Sequence, residues 1–280
     1  MYTISLECGV PNWRFVIKCD NEVISVKLLS VYANFCCNSQ YVSCEEERCM
    51  TIITGAKYFK IWYADNAYQT ETLSFSELIY HTYTLLERSV VSHCTKIGMT
   101  MLHGGAISLN GKALAFIAPS YTGKSTLLAH LGASKYDIVS DDCVIIESKT
   151  KSIYTYPHPI RIRNRLVLEA FPTISCYRWE NFYDFTTREM QNLIISNKKM
   201  SHGNSLVGIL YIKRSNANNF TKITMANNYR NMIFNLKHTA NIELSKQNCI
   251  PIARDIPGYL LEYNSLEAAE NCVSDLFINH

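Results

Sequence analysis

The stretch Ala118-Pro119-Ser120-Tyr121-Thr122-Gly123-Lys124-Ser125-Thr126 decides how this chain is read. It fits the pattern G-x-x-x-x-G-K-[ST] at every fixed position except the first, where Ala118 stands for glycine. Such a loop turns its backbone N–H groups inward around phosphate oxygens, and the helix that follows adds positive potential from its N-terminus. Gly123 lets the backbone approach the ligand without a Cβ. Lys124 supplies a cation for the β- and γ-phosphates, and the Ser125 hydroxyl is a ligand for Mg²⁺. Ser120, Tyr121, Thr122 and Thr126 complete the set expected to surround the phosphates. The alternative is a strand–turn–helix carrying an accidental Gly-Lys-Ser-Thr.

The flanking sequence supplies the context that this pattern needs. Upstream, His103–Leu109 reads as an apolar strand. Asn110-Gly111 is a two-residue hairpin signal, because both residues tolerate positive φ. Lys112–Ala118 is the returning strand, so continuously apolar that it belongs in the middle of a sheet. Downstream, Gly123 opens a helix running to about Leu131. A short strand, Asp137–Ser140, then delivers Asp141-Asp142. In a parallel layout that strand lies beside the loop-bearing one, and its carboxylates face the same crevice. One carboxylate then holds Mg²⁺ and the other accepts a proton from an attacking hydroxyl; a solvated acidic turn is the alternative. His103 is either structural or close enough to tune the aspartates. Arg161 and Arg163 alternate with Ile160 and Ile162, so both project from one face of an extended segment. They suit a phosphate clamp or an exposed strand face.

Farther out, residues 1–98 form a β-rich region ending in a helix. Phe15–Ile17, Val23–Val31, Met50–Ile53 and Tyr58–Tyr63 read as strands, and Ser74 to about Ile97 reads as a helix stopped at Gly98. Cys143–Glu147 pairs with Lys151–Tyr156. Asn216, Asn218 and Asn219 mark a turn between strands. Ser205–Lys213 and Gly258–Tyr263 are late strands, and Asn264 caps a terminal helix. The chain of 280 residues is 48% hydrophobic, enough for a sizeable core. Its 27 Lys+Arg against 24 Asp+Glu indicate no large basic face for nucleic acid. The N-terminus lacks a signal-peptide pattern, and no stretch is apolar enough to span a bilayer. The 11 scattered Cys fit free thiols in a reducing compartment. The spacing of Cys36, Cys37, Cys44 and Cys49 is too irregular for an ordinary zinc site. A cytoplasmic protein is expected. Nothing in the composition requires or excludes a homo-oligomer.

Several linked segments resemble the kinase domain of HPr kinase/phosphorylase and its relatives over about residues 99–280. They are Leu102-His103-Gly104-Gly105-Ala106 before Asn110-Gly111-Lys112, the loop Pro119–Ser125, Val139-Ser140-Asp141-Asp142, and Ile256-Pro257-Gly258-Tyr259-Leu260-Leu261-Glu262-Tyr263. The resemblance implies an α/β fold related to phosphoenolpyruvate carboxykinase, with ATP and Mg²⁺ as cofactors. It implies Asp141 as catalytic base, Asp142 near the metal, and His103 supporting that network. The second glycine-rich signature of true HPr kinases, an I-R-G-L-G type run, is missing. The chain is therefore more similar to compact relatives such as lasso-peptide kinases. The expected reaction is γ-phosphoryl transfer to a Ser/Thr hydroxyl of a peptide or protein. A small hydroxylated metabolite as acceptor, or a non-catalytic nucleotide-dependent binding module, are the rivals. Residues 1–98 resemble no family.

Overall fold

The computed structural model of the protein describes residues 1–32, 35, 48–63, 68–119, 121–157, 160–162, 177–184, 189–196, 203–237 and 241–279, without side chains at 161–162, 177–184 and 189–196. The described residues form a mixed α/β structure of three sheets and six helices.

The first sheet has the order β1-β2-β3-β4-β5, built from β1 (Tyr2–Leu6), β2 (Phe15–Cys19), β3 (Cys49–Thr54), β4 (Phe59–Tyr63) and β5 (Tyr68–Thr72). Three of its four pairings are antiparallel, while β2 and β3 run parallel. Parallel neighbours need a crossover, and α1 (Glu22–Val31) lies in that connection. This corrects the sequence expectation of a strand over Val23–Val31. The Asn21 side chain accepts the Ile24 N–H at 3.2 Å, Glu22 complements the first turn, and Ser25, Leu28 and Val31 bury one face at three-residue spacing. That periodicity outweighs the β-branched composition that suggested a strand.

Helix α2 (Phe75–Lys96) matches its expected span. Ser74 caps it by accepting the Glu77 N–H at 3.2 Å, and Gly98 ends it with φ +79°. The helix packs on β6 (Met99–His103), which opens the central sheet. One apolar cluster runs from β1 through α2 to Met99, Met101, Cys143, Ile145 and Tyr156.

The central sheet contains β6, β7 (Gly105–Leu109), β8 (Lys112–Ile117), β9 (Asp137–Ser140), β10 (Cys143–Glu147) and β11 (Ser152–Tyr154). The late strands β15 (Asn204–Arg214), β16 (Asn219–Lys222) and β17 (Gly258–Tyr263) complete it. The hairpin forms as expected, with Asn110 at φ +52° and Gly111 at φ +78°. β8 is central: β7 flanks it antiparallel and β15 parallel, with Ser205 opposite Lys112. Ala113, Ala115 and Ile117 bury against one layer, Leu114 and Phe116 against the other, which explains the continuous apolar run. The first layer is α4 (Met225–Phe234) and α5 (Ile242–Asp255). The second is α3 (Lys124–Ala133) and α6 (Leu266–Asn279).

Three details depart from the sequence expectations. The segment 103–109 is two strands: His103 ends β6 and Gly105 begins β7. Close packing divides them, since a Cβ on Gly104 would lie 2.7 Å from the Phe116 carbonyl oxygen and one on Gly105 2.2 Å from Leu128 Cδ1. β9 pairs with β7, so one strand separates it from β8. The terminal helix is capped by Ser265, whose Oγ accepts the Ala268 N–H at 3.2 Å, one residue after Asn264. A third sheet, of order β12-β14-β13, joins β12 (Ile160–Ile162), β13 (Tyr177–Asp184) and β14 (Glu189–Ser196). No helix among the described residues is long and apolar enough to cross a membrane.

Candidate functional site

The loop 118–123 leaves the C-terminal end of β8 and enters α3. Ala118 is buried, so a small residue suffices where glycine was expected. Tyr121 takes φ +69° and Gly123 φ +90°, and the Thr122 hydroxyl donates to the Pro119 carbonyl at 2.8 Å. Left-handed residues at the start of a helix turn the backbone N–H groups toward one side. Lys124, Ser125 and Thr126 form the first turn of α3, with the two hydroxyl residues half-buried. Ser120 lies outside the described residues.

Lys124 is buried, and its Nζ donates to Asp141 Oδ1 at 2.7 Å; the side chains are 8% and 1% exposed. β9 reaches this position although it is two strands from β8, because β7 runs antiparallel to both. β8 and β9 therefore point the same way, and their C-terminal ends share one edge of the sheet. The expected meeting of loop and aspartates occurs, by a route other than strand adjacency.

Asp142 faces a different set of partners. It sits at φ +69°, a conformation that costs a non-glycine residue energy and is often found where geometry serves function. Gly104 N–H donates to its carbonyl at 3.3 Å, fixing the turn. Its Oδ1 lies 3.2 Å from His103 Nδ1, and its Oδ2 accepts from Lys237 Nζ at 3.3 Å. The β6–β10 register sets Cys143 opposite His103, and this brings the histidine to Asp142. His103 thus reaches the acidic pair through Asp142.

Sequence reasoning missed Lys237 and Glu87. Lys237 follows α4 in a segment that docks on β6, with His103 N–H bonded to Asn235 O at 2.7 Å and Lys237 N–H to Met101 O at 2.9 Å. Its ammonium bridges Asp142 and Glu87 Oε2, the latter at 3.2 Å. Burial alone lowers the pKa of Lys237, but Cys143, Asp142 and Glu87 outweigh it and hold the pKa above the ordinary lysine value. Burial pushes the Cys143 thiol well up. The available signal was Glu87 itself, a carboxylate between the buried residues Leu86 and Ser89 of α2, because a charge there needs a partner. No short motif marks Lys237.

Of the expected arginines, Arg161 lies in β12, a strand alongside α3, but its side chain is outside the described residues, as is all of Arg163. Cys36, Cys37 and Cys44 are also outside them, while Cys49 is a free thiol at the start of β3. Two further side chains stand next to the loop. A Cβ on Gly123 would lie 3.5 Å from Tyr263 Oη and 3.7 Å from Arg214 Nε. No protein-family model matches the sequence, and no curated protein is significantly similar to it.

Proposed function

We propose that the protein is an ATP-dependent kinase of the HPr kinase type, transferring the γ-phosphoryl group to a serine or threonine hydroxyl of a peptide or protein. The observation that carries this reading is the buried contact between Lys124, at the start of α3, and Asp141, at the end of β9. It sets a phosphate-binding cation against a carboxylate able to serve as base. Ser125, Asp141 and Asp142 offer hard oxygen atoms, the donors that Mg²⁺ takes, although the Cys143 sulfur also lies close to Asp142. When bound, Mg²⁺ would neutralise charge on the phosphate oxygens.

The chain's own residues then divide the work. Loop N–H groups and the α3 N-terminus orient the phosphates. Lys124 leaves Asp141 for the phosphate oxygens, which frees the Asp141 carboxylate to take the acceptor's proton. His103 and Lys237 fix Asp142 beside it. One observation favours exchanged roles for the two acids: Asp142 is 23% exposed and Asp141 only 1%. Among the described residues β1 and β5 are the outer strands of the first sheet, which suits an extended acceptor, because a peptide can add to a sheet edge. Incubation with γ-labelled ATP, Mg²⁺ and a panel of HPr, serine- and threonine-containing peptides and hydroxylated metabolites tests the reading. Label on peptide is expected, abolished by Asp141→Asn. Label on metabolites alone would refute the peptide acceptor, and full activity in Asp141→Asn with none in Asp142→Asn would exchange the roles.

A further inference from the structure

The parallel strands β15 and β17 end level with each other, with Arg214 paired to Tyr263 in register. Both residues share the parity of Ile212 and Leu261, which pack in the α3 layer, so both lie on the side of the sheet where α3 begins. The Arg214 guanidinium sits 6.0 Å from the centre of the Tyr263 ring. Tyr263 is 1% exposed, and its hydroxyl, directed at Gly123, has no hydrogen-bond partner of normal geometry. Burial raises the pKa of this phenol, and the neighbouring Arg214 opposes the rise.

Charge is out of balance here. A helix N-terminus carries roughly half a positive charge and disfavours a cation. Lys124 is neutralised by Asp141, whereas Arg214 forms no ion pair among the described residues. Arg214 is exposed, so water screens its charge in the free protein, and its guanidinium stands beside the start of α3 where an anion would bind. Its planar fork matches phosphate oxygens in a way that an ammonium does not. We infer that Arg214 is a second phosphate-binding cation of this site, positioned by the ring and hydroxyl of Tyr263 to grip the polyphosphate chain of the nucleotide. The inference rests on the phosphate-loop reading and extends it to the ends of β15 and β17.

Titration calorimetry with ADP and with Mg²⁺–ATP, alongside thermal melts without ligand, tests it. Arg214→Ala is expected to weaken both nucleotides about 10- to 100-fold. It should leave the unliganded melting temperature nearly unchanged, since the side chain removed is exposed. Arg214→Lys should recover little of the loss, and the variant's affinity should depend less steeply on salt. Tyr263→Phe should retain the unliganded stability and weaken both nucleotides. Tight wild-type binding with no change in Arg214→Ala would overturn the inference alone. A wild-type chain that binds neither nucleotide would overturn the phosphate-loop reading together with it. A drop in unliganded stability with unaltered affinity would make Arg214 structural and overturn the inference.

Discussion

Replacing Asp141 by Asn should destabilise the protein and make it more responsive to nucleotide. In the free protein the Lys124 ammonium is 8% exposed, and its charged partner is the 1% exposed carboxylate 2.7 Å away. The amide keeps the shape but removes the charge, leaving an ammonium in a low-dielectric setting. Breaking a buried pair in this way costs about 3–5 kcal/mol, most of it the uncompensated charge. At about 2 °C per kcal/mol for a chain of this length, the melting temperature should fall by about 6–10 °C. The double variant Lys124→Met with Asp141→Leu should recover most of the loss, because both charges go at once. Nucleotide gives the lone ammonium a new partner, so saturating Mg²⁺–ATP should raise the melting temperature of Asp141→Asn by more than it raises the wild type. Circular dichroism melts with and without nucleotide measure all four quantities. An Asp141→Asn protein melting within 2 °C of wild type, on the scale of about 1 kcal/mol, would refute the buried pair.

Lys237→Met should cost about 1–2 kcal/mol, a figure reduced because Glu87 and Asp142 keep some solvent contact; adding Glu87→Gln should restore part of it, as urea midpoints will show. Gly104→Ala should cost about 1–3 kcal/mol, because the new methyl meets the backbone oxygen of Phe116 and β8 must shift; a wild-type melting curve would contradict that packing. Alkaline pH should unfold the protein early. Burial raises the thiols of Cys8 and Cys249 to about 12 and those of Cys94 and Cys143 well above their ordinary range. Above the free-thiol value of about 8.5 the unfolded chain loses these protons and the folded chain keeps them. Each such thiol then removes about 1.4 kcal/mol of stability per pH unit until its folded pKa is reached. Denaturant midpoints that stay flat from pH 8 to about 10 would contradict the burial of these thiols.

The sequence disclosed most where local chemistry leaves few choices. Asn110-Gly111, the apolar run Lys112–Ile117 and the Gly123-Lys124 helix start occupy nearly their expected positions, because positive φ and two-sided burial each restrict residue type. Helix α1 was misread because Val23, Val26 and Val31 are β-formers, while the Asn21 cap and the three-residue burial spacing that settle the matter are weaker signals. The candidate site was half legible. Asp141 and Asp142 follow from a strand end at a suitable distance from Lys124. Their separate partners follow from strand order, which places β9 beside β7 and carries His103 to Asp142 on a third strand. Lys237, Arg214 and Tyr263 reach the same region from segments more than 80 positions downstream, and no local pattern announces pairing over that span.

The register that sets Ser205 of β15 against Lys112 of β8 also governs how the protein is made. A strand destined for the middle of the sheet must wait, one edge unsatisfied, while some ninety further residues leave the ribosome. The parallel partner of β15 on its other side arrives later still, with β17 near residue 260. Contacts so distant along the chain slow folding, since the loop closure comes before the contacts that reward it. During synthesis the bare edge of β8, among the most apolar segments of the chain, is the natural target for a chaperone. Slowing translation between residues 118 and 204 should therefore lower the yield of folded protein more than an equal pause after residue 263.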